Sequence, residues 1–190
     1  MRLHLDDIKK RFAYQWVLNG VSITIKENSK ISIIGSNGSG KSTLLKIICG
    51  ILPPTTGLVR AIDNGGNLIS SSQVFKKISF SSPYQELIED YTLSEFLYFH
   101  EKMKGFIKSY TPEDVIEVLD LKKHKNKQIQ SFSSGMKQRV NLAVGIFSDT
   151  ELMILDEPGS NLDAEAHHWY LDLLEKHSNN RALVIASNDE

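Results

Sequence analysis

A short strand pattern runs directly into a glycine-rich loop and a helix in Ile31-Ser32-Ile33-Ile34-Gly35-Ser36-Asn37-Gly38-Ser39-Gly40-Lys41-Ser42-Thr43. The first four residues are mostly apolar and β-branched, which is typical of a buried strand. The rest fits the spacing G-x-x-x-x-G-K-[ST], in which glycines let successive backbone N–H groups point inward at phosphate oxygens. The residues of this predicted phosphate loop are Gly35, Ser36, Asn37, Gly38, Ser39, Gly40, Lys41, Ser42 and Thr43.

The end of this loop carries the groups that a nucleoside triphosphate with Mg²⁺ needs. A helix that begins near Lys41 directs its partial positive end at the bound phosphates. Lys41 adds a point charge for the β- and γ-phosphates, and the Ser42 hydroxyl can take one position on Mg²⁺. The simpler alternative is a glycine-rich turn with a surface lysine, but strand, loop and helix together favour the phosphate site.

A second short apolar run, residues 151–158, ends in the carboxylates Asp156 and Glu157. At the carboxyl end of a parallel strand these two side chains would lie where α/β sheets bind ligands. Asp156 is suited to hold Mg²⁺ through water, and Glu157 is suited to polarise the water that attacks the γ-phosphate. An Asp-Glu pair alone is more often a solvated turn, so this prediction depends on the phosphate loop upstream.

Composition restricts the class of protein. The chain has 190 residues, enough for one domain with a substantial core, and we expect a single domain over residues 1–190. Its formal net charge of −1 gives no electrostatic argument for nucleic acid as a partner. The one cysteine, Cys49, cannot form an internal disulfide. No uninterrupted apolar run approaches the ~18 residues that a membrane span needs.

Hydrophobic periodicity predicts strands that alternate with helices, which indicates an α/β domain with a mainly parallel sheet. We expect turns and short strands over residues 62–78, and a strand over Val17–Ile25 that follows a turn at Asn19-Gly20. The other predicted strands are Ile31–Ile34, Leu152–Leu155 and Ala182–Ala186. The predicted helices are Ser42–Cys49, Leu93–Met103, Glu113–Leu121 after a cap at Thr111-Pro112, Ser134–Phe147 and Ala164–His177.

Between the two predicted sites lies Phe132-Ser133-Ser134-Gly135-Met136-Lys137-Gln138-Arg139, which resembles the LSGGQ signature of ATP-binding cassette ATPases. Ser160-Asn161-Leu162-Asp163 resembles the D-loop of the same family. With the phosphate loop, these motifs occur in the family's order and spacing, and the resemblance covers essentially the whole chain. It implies an α/β P-loop NTPase fold with a mainly parallel sheet, an N-terminal antiparallel β portion, and a helical subdomain over about residues 86–147.

The resemblance also implies roles for individual residues. Ser133 and Gly135 open a helix and would contact ATP bound to a second cassette, so that two ATP molecules lie between two facing copies. Phe12 lies where the family usually places an aromatic ring that stacks on adenine. Tyr14 and Trp16 are close competitors for that role, and an aromatic residue of the core or of an edge strand is the alternative.

Two positions depart from the family pattern. The position of the family's Q-loop glutamine, counted back from Thr92, falls on Pro83; either Gln85 is a displaced equivalent, with a role in catalysis and as a Mg²⁺ ligand, or Gln85 is incidental. Where the family usually has a histidine before an aspartate, this chain has Asn188, followed by Asp189. The sequence also stops at Glu190, where related cassettes continue, which suggests a shortened or unusually short cassette.

The resemblance therefore implies an ATPase, with ATP and Mg²⁺, that powers an exporter-type transporter whose membrane-spanning subunits are separate chains. Its expected partners are a second cassette, identical or different, and a membrane-spanning permease, with no nucleic acid. Such a subunit is cytoplasmic and peripheral at the inner face of the membrane. The alternatives are a soluble cassette ATPase that acts on ribosomes or DNA, and a weakly hydrolysing regulatory cassette, for which Asn188 is the only support.

Overall fold

The structure, a computed structural model, describes residues 1–83, 85–107, 110–160 and 162–188. Its strands are β1 (Arg2–Phe12), β2 (Gln15–Ile25), β3 (Lys30–Ile34), β4 (Thr56–Ile62), β5 (Ile78–Ser81), β6 (Leu152–Asp156) and β7 (Ala182–Ser187). Its helices are α1 (Lys41–Ile48), α2 (Ser71–Val74), α3 (Leu93–Lys104), α4 (Pro112–Val118), α5 (Ser134–Phe147) and α6 (Ala164–His177). Within the described ranges, every helix is too short or too polar to cross a membrane.

The first part of the chain forms an antiparallel sheet in the order β2-β1-β4, which confirms the antiparallel portion. The turn predicted at Asn19-Gly20 is wrong, because both residues lie inside β2. Ile8 pairs with Val21 and Lys9 pairs with Asn19, so Gly20 is the extra residue of a bulge. The reversal lies earlier, where Phe12 pairs with Gln15.

The parallel sheet has the order β3-β7-β6-β5, so the strand before the phosphate loop lies beside β7 rather than beside β6. Ile34 pairs with Ser187, and Asp156 pairs with Ala186. Because all four strands run in the same direction, their carboxyl ends meet at one edge. The phosphate loop, the acidic pair, Asn188 and Pro83 all leave the sheet from this edge.

Most helix boundaries agree with the sequence periodicity, and those of α5 and α6 match the prediction residue for residue. Helix α4 is shorter than predicted: Thr111 caps it, but it ends at Val118 because the backbone of Asp120 turns into the left-handed region (φ 55°). The segment expected to hold turns and short strands also contains α2 and a 3-10 turn at Phe75–Lys77, followed by β5.

The apolar side chains form two buried clusters on either side of the parallel sheet. One cluster joins α3, α4 and α5 to the sheet, with Leu97, Leu119, Ile129 and Phe147 fully buried in it. The other joins the antiparallel sheet and α1 to the opposite face, with Leu3, Ile8, Leu45 and Ile47 at its centre. Burial of whole Leu, Ile or Phe side chains contributes roughly 1.5–3 kcal/mol each.

A buried arginine ties β7 to the ends of two helices. The Arg181 guanidinium donates to the backbone oxygens of Ile146, Ser148 (2.8 Å) and His177 (3.0 Å). These carbonyls lie at the C-terminal ends of α5 and α6, where a cation is favoured by the helix dipole. Arg181 therefore helps to set where β7 begins, and β7 carries Asn188 to the site.

Candidate functional site

The phosphate loop connects β3 to α1 with a backbone that only glycine adopts easily at two places. Gly38 and Gly40 have φ angles of 81° and 97°. A Cβ atom on Gly40 would lie 3.0 Å from side-chain carbons of Val17 and Leu18, so a larger residue would displace the hairpin packed behind the loop. The Ser39 N–H donates to the Ser36 oxygen (3.1 Å), which closes the turn. These constraints hold the start of α1 open toward a ligand.

A cavity of about 370 Å³ lies in front of this loop. Six predicted loop residues line it: Asn37, Gly38, Gly40, Lys41, Ser42 and Thr43. The structure brings Asp156 and Glu157 to the same cavity, and adds Val17 and Pro83 as walls. The remaining predicted loop residues bond within the loop: the backbone oxygens of Gly35 and Ser36 accept from Lys41, and the Ser39 N–H donates to Ser36.

Lys41 is 7% exposed, and its ammonium group lies in a shell of acceptors. Its Nζ donates to the backbone oxygens of Gly35 (2.6 Å) and Ser36 (3.2 Å), and to Asn188 Oδ1 (2.8 Å). Glu157 Oε1 lies 3.6 Å from the same nitrogen. The positive charge that the sequence predicts for phosphate binding therefore stands at the centre of the site.

Asp156 is 3% exposed at the end of β6, and burial raises the pKa of its carboxyl group against the lowering effect of a hydrogen bond from Ser42. Its Oδ1 atom has no hydrogen-bond partner among the described residues. A buried carboxylate oxygen without a partner, beside a hydroxyl group, fits a hard cation such as Mg²⁺. The predicted pair of Mg²⁺ ligands is therefore adjacent in the structure.

Glu157 follows Asp156 in a strained conformation, with φ at 46° in the left-handed region. Its N–H donates to the Ala186 oxygen (2.9 Å), which holds the residue against the end of β7. The Ser160 hydroxyl donates to Oε2 (3.4 Å), and Oε1 faces Lys41. Two contacts on one carboxylate orient it toward the phosphate cavity. Strain of this kind costs about 1–3 kcal/mol and is common where a side chain must be aimed at a reacting group.

Asn188 lies one residue beyond β7 and reaches Lys41 across the edge of the sheet. Its neighbour Asp189 is outside the described residues. The contact joins positions 147 residues apart in the chain, so Asn188 belongs to the same cluster as the phosphate loop.

Gln85 lies outside the phosphate cavity, whereas Pro83 lines it. The Gln85 N–H closes a turn by donating to the Ser82 backbone oxygen (3.0 Å). The Asn141 side chain donates to the Gln85 backbone oxygen (3.2 Å). These bonds carry Gln85 to a second cavity of about 280 Å³ beneath α5, and Pro83 is common to both cavities. The structure therefore does not bring Gln85 to Asp156 as a Mg²⁺ ligand.

The aromatic residues of the β1–β2 hairpin are also separate from the cavity. Phe12 is 47% exposed at the end of β1, and the Lys10 ammonium lies 5.2 Å from its ring centre. Tyr14 is 97% exposed, and Trp16 stacks with the Arg11 guanidinium at 5.3 Å. Val17 is the hairpin residue that lines the cavity, and its side chain was not singled out by the sequence because it is a plain strand residue.

The signature residues Ser133 and Gly135 form their own small cavity of about 230 Å³ at the start of α5, apart from the phosphate loop. The Ser133 hydroxyl caps the helix by accepting the Met136 N–H (3.3 Å). Leu162 and Asp163 of the predicted D-loop line the same cavity, while Asn161 of that loop is outside the described residues. Within one chain, the signature and the phosphate loop therefore face different spaces.

Sequence reasoning missed two buried amides behind this region. Gln138 and Asn141 are 4% and 3% exposed, and both line the cavity beneath α5. Gln138 Nε2 and Asn141 Oδ1 have no hydrogen-bond partner among the described residues. Their spacing of three residues, which places both amides on one face of α5, was the available signal.

Several known proteins are similar in sequence to this chain. The human phospholipid-transporting ATPase ABCA3 is 27% identical over 172 residues, which are 88% of this chain and 10% of that protein. The uncharacterized ABC transporter ATP-binding protein YxlF of Bacillus subtilis is 28% identical over 190 residues, 98% of this chain and 62% of that protein. The chain thus spans less than two thirds of either relative.

A solved structure, the dimeric post-hydrolysis state of the ATP-binding cassette MJ0796 bound to ADP and Pi, has a TM-score of 0.80 and 24% identity. It covers 97% of this chain and 87% of that one, which shows the same fold. A family model described as ABC transporter matches residues 18–160. Because that match spans well over half of the chain and includes both halves of the phosphate site, the protein belongs to the ABC transporter family, as an ATP-binding cassette.

Proposed function

We propose that this cassette hydrolyses Mg·ATP to power an exporter-type transporter whose membrane-spanning subunits are separate chains. The observation that carries the proposal is the convergence of Lys41, Asp156 and Glu157 on one cavity at the carboxyl edge of the sheet, with Asn188 hydrogen-bonded to Lys41. These side chains come from three separate parts of the chain, since Asp156 and Glu157 are consecutive. Their arrangement matches the charge that develops when a terminal phosphate is transferred to water.

The residues divide the work of hydrolysis between binding and activation. The N–H groups of the phosphate loop and Lys41 bind the phosphates, with the N-terminus of α1 behind them. Ser42 and Asp156 would hold Mg²⁺, which supplies a positive charge beside the phosphate oxygens. Glu157, aimed by Ser160, would accept a proton from the attacking water while that water approaches the γ-phosphate in line.

The second element of the proposal is a partner cassette, identical or different. Ser133 and Gly135 lie at a helix start whose N–H groups and hydroxyl suit an anion, yet their cavity is separate from the phosphate loop of the same chain. A second copy in the facing orientation would bring its ATP to this signature cavity. The related cassette MJ0796 is dimeric in its post-hydrolysis state, which supports the same arrangement here.

The third element is a membrane partner. The polar cavity beneath α5 shares Pro83 with the phosphate cavity and carries the unpartnered amide atoms of Gln138 and Asn141. A partner segment that supplies hydrogen bonds there would contact the wall of the ATP site directly. We therefore propose that the membrane subunit binds at residues 83–97 and α5, and that the cassette works in the cytoplasm at the inner face of the membrane.

The test has two parts. Phosphate release by the purified chain should require Mg²⁺ and ATP, and a tagged chain should retrieve a polytopic membrane protein from detergent-solubilised membranes. Retrieval of ribosomal proteins or DNA instead would favour a soluble cassette. ATP binding with no measurable phosphate release would favour a regulatory cassette, the candidate that Asn188 supports.

A further inference from the structure

The Lys41 ammonium has three N–H donors, and all three are used by acceptors of the chain itself. Two acceptors are backbone oxygens of the phosphate loop, from Gly35 and Ser36, and the third is Asn188 Oδ1. A lysine ammonium has no further donor. A phosphate oxygen that accepts a hydrogen bond from Lys41 must therefore displace one of these three acceptors.

The three acceptors differ in how easily they can be released. The Gly35 and Ser36 oxygens are part of the backbone between β3 and α1, so moving either one would reshape the loop that must hold the phosphates. Asn188 is an exposed side chain beyond the last residue of β7, and it can rotate into water with its amide still hydrated. Asn188 is therefore the acceptor that phosphate displaces at the lowest free-energy cost.

We propose that Asn188 is a positioning residue that competes with the phosphates of ATP for Lys41 and so sets the affinity of the site. Its carbonyl oxygen holds Lys41, and this orients the amide so that the Nδ2 donor points away from the ammonium. The proposal rests on ATP binding at the phosphate loop and adds the order in which Lys41 changes partners.

Removing Asn188 should change the ATP affinity in the direction opposite to that expected for a residue that only binds nucleotide. In Asn188→Ala, the competing acceptor is gone, so ATP should bind about three- to tenfold more tightly, the effect of removing one partly exposed hydrogen bond to a charged group. The measurement is isothermal titration with ATP in EDTA, which prevents hydrolysis. Asn179→Ala, an exposed asparagine in the turn after α6, is the matched control and should leave the affinity unchanged. Unchanged or weaker binding by Asn188→Ala, with native circular dichroism, would overturn the proposal.

A second readout needs no nucleotide. Amine labelling with acetic anhydride, followed by mass spectrometry, should modify Lys41 faster in Asn188→Ala than in the wild type, relative to the exposed Lys46 on the same helix. Asn188→Asp keeps an acceptor and adds a negative charge, so its Lys41 should react more slowly than that of the wild type. Equal labelling of Lys41 in all three proteins would reject the contact. A wild type that fails to bind ATP would contradict the proposed function and, with it, the competition for Lys41, even if the labelling order shows the contact between Asn188 and Lys41.

Discussion

Lys41 Nζ and Glu157 Oε1 lie 3.6 Å apart, one at the start of α1 and the other just beyond the end of β6. Both side chains are mostly buried, with 6% and 21% exposed, so each charge is held partly by the other. In the proposed reaction, the pair would link phosphate binding to activation of water within one cluster. Removing either charge should therefore affect a different step of the same reaction.

Replacing Lys41 by alanine should weaken ATP binding at least tenfold, by about 1.4 kcal/mol or more, because a charge-assisted contact to phosphate is lost. Titration of ATP in EDTA measures the affinity without hydrolysis. Lys46→Ala removes an exposed lysine from the same helix and should bind ATP as the wild type does. An unchanged affinity in Lys41→Ala would reject the phosphate-loop assignment.

Replacing Glu157 by glutamine should keep ATP binding and lower kcat about 100- to 10,000-fold, because the amide cannot accept a proton from the attacking water. Glu175→Gln, an exposed site on α6, is the control. If two cassettes close over ATP, Glu157→Gln should also accumulate as an ATP-bound dimer in size-exclusion chromatography. A strictly monomeric profile at saturating ATP would count against the facing arrangement.

Replacing Asn188 by histidine should raise turnover at saturating ATP by about 10- to 100-fold, because imidazole adds a titratable donor beside the phosphate. Asparagine supplies one amide donor and cannot carry a charge near neutral pH. The measurement is kcat from pH 6 to pH 8. The gain should vary with pH in Asn188→His and be absent from Asn179→His. No gain at any pH would place Asn188 outside the group that acts on the transition state.

The membrane partner should cross-link to the segment beside the cavity beneath α5. With the buried Cys49 left in place, Glu86→Cys on that segment should react with the partner, whereas Leu171→Cys on the outer face of α6 should not. Both positions are exposed, so reagent access is comparable. Cross-links confined to Leu171→Cys would contradict the proposed docking region.

Stability should fall as the pH drops from about 6.5 to about 4. Burial lowers the pKa of His100 from 6.5 to about 4, and the nearby Lys104 acts in the same direction. Between these values the unfolded chain binds a proton at His100 that the folded chain excludes, so the stabilisation present above pH 6.5 is progressively lost, by up to ~3 kcal/mol.

Urea unfolding at several pH values measures this effect. Phenylalanine at position 100 can keep the ring contact with Phe106 without the titration, and Ser148 retains its bond to the Val144 oxygen. His100→Phe should therefore show a smaller loss of stability between pH 7 and pH 4.5. Burial also lowers the pKa of His177, so part of the pH dependence should remain. An identical pH dependence in the variant and the wild type would exclude His100 as a cause.

The sequence pattern was sufficient to predict an element wherever the residues that define it lie close together in the chain. The bounds of α5 and α6 follow from helical periodicity and from the capping residues Ser133 and Asp163, which bond to N–H groups three residues ahead. The phosphate loop, too, is local, because its glycines, lysine and hydroxyl lie within nine consecutive residues. The family resemblance then predicted the other motifs that act with that loop and the type of fold.

Non-local pairing was not readable from the chain. Strand β5 is four residues long, and it is a strand because it pairs with residues of β6 more than seventy positions away. The sequence pattern did not distinguish β5 from the turn signals before it. The bulge at Gly20 imitates a hairpin turn in sequence, and only pairing with β1 distinguishes the two.

By itself, therefore, the sequence was sufficient to predict nucleotide chemistry, because the phosphate loop and the acidic pair are each made of consecutive residues. Tertiary structure alone decided which distant side chains join that chemistry. It brought Pro83 rather than Gln85 to the cavity, since the turn at Ser82 and the bond from Asn141 carry the glutamine away. It also joined Asn188 to Lys41. Parallel pairing of β3 with β7 brings the carboxyl ends of the two strands together, so residues 147 positions apart in the chain form a hydrogen bond.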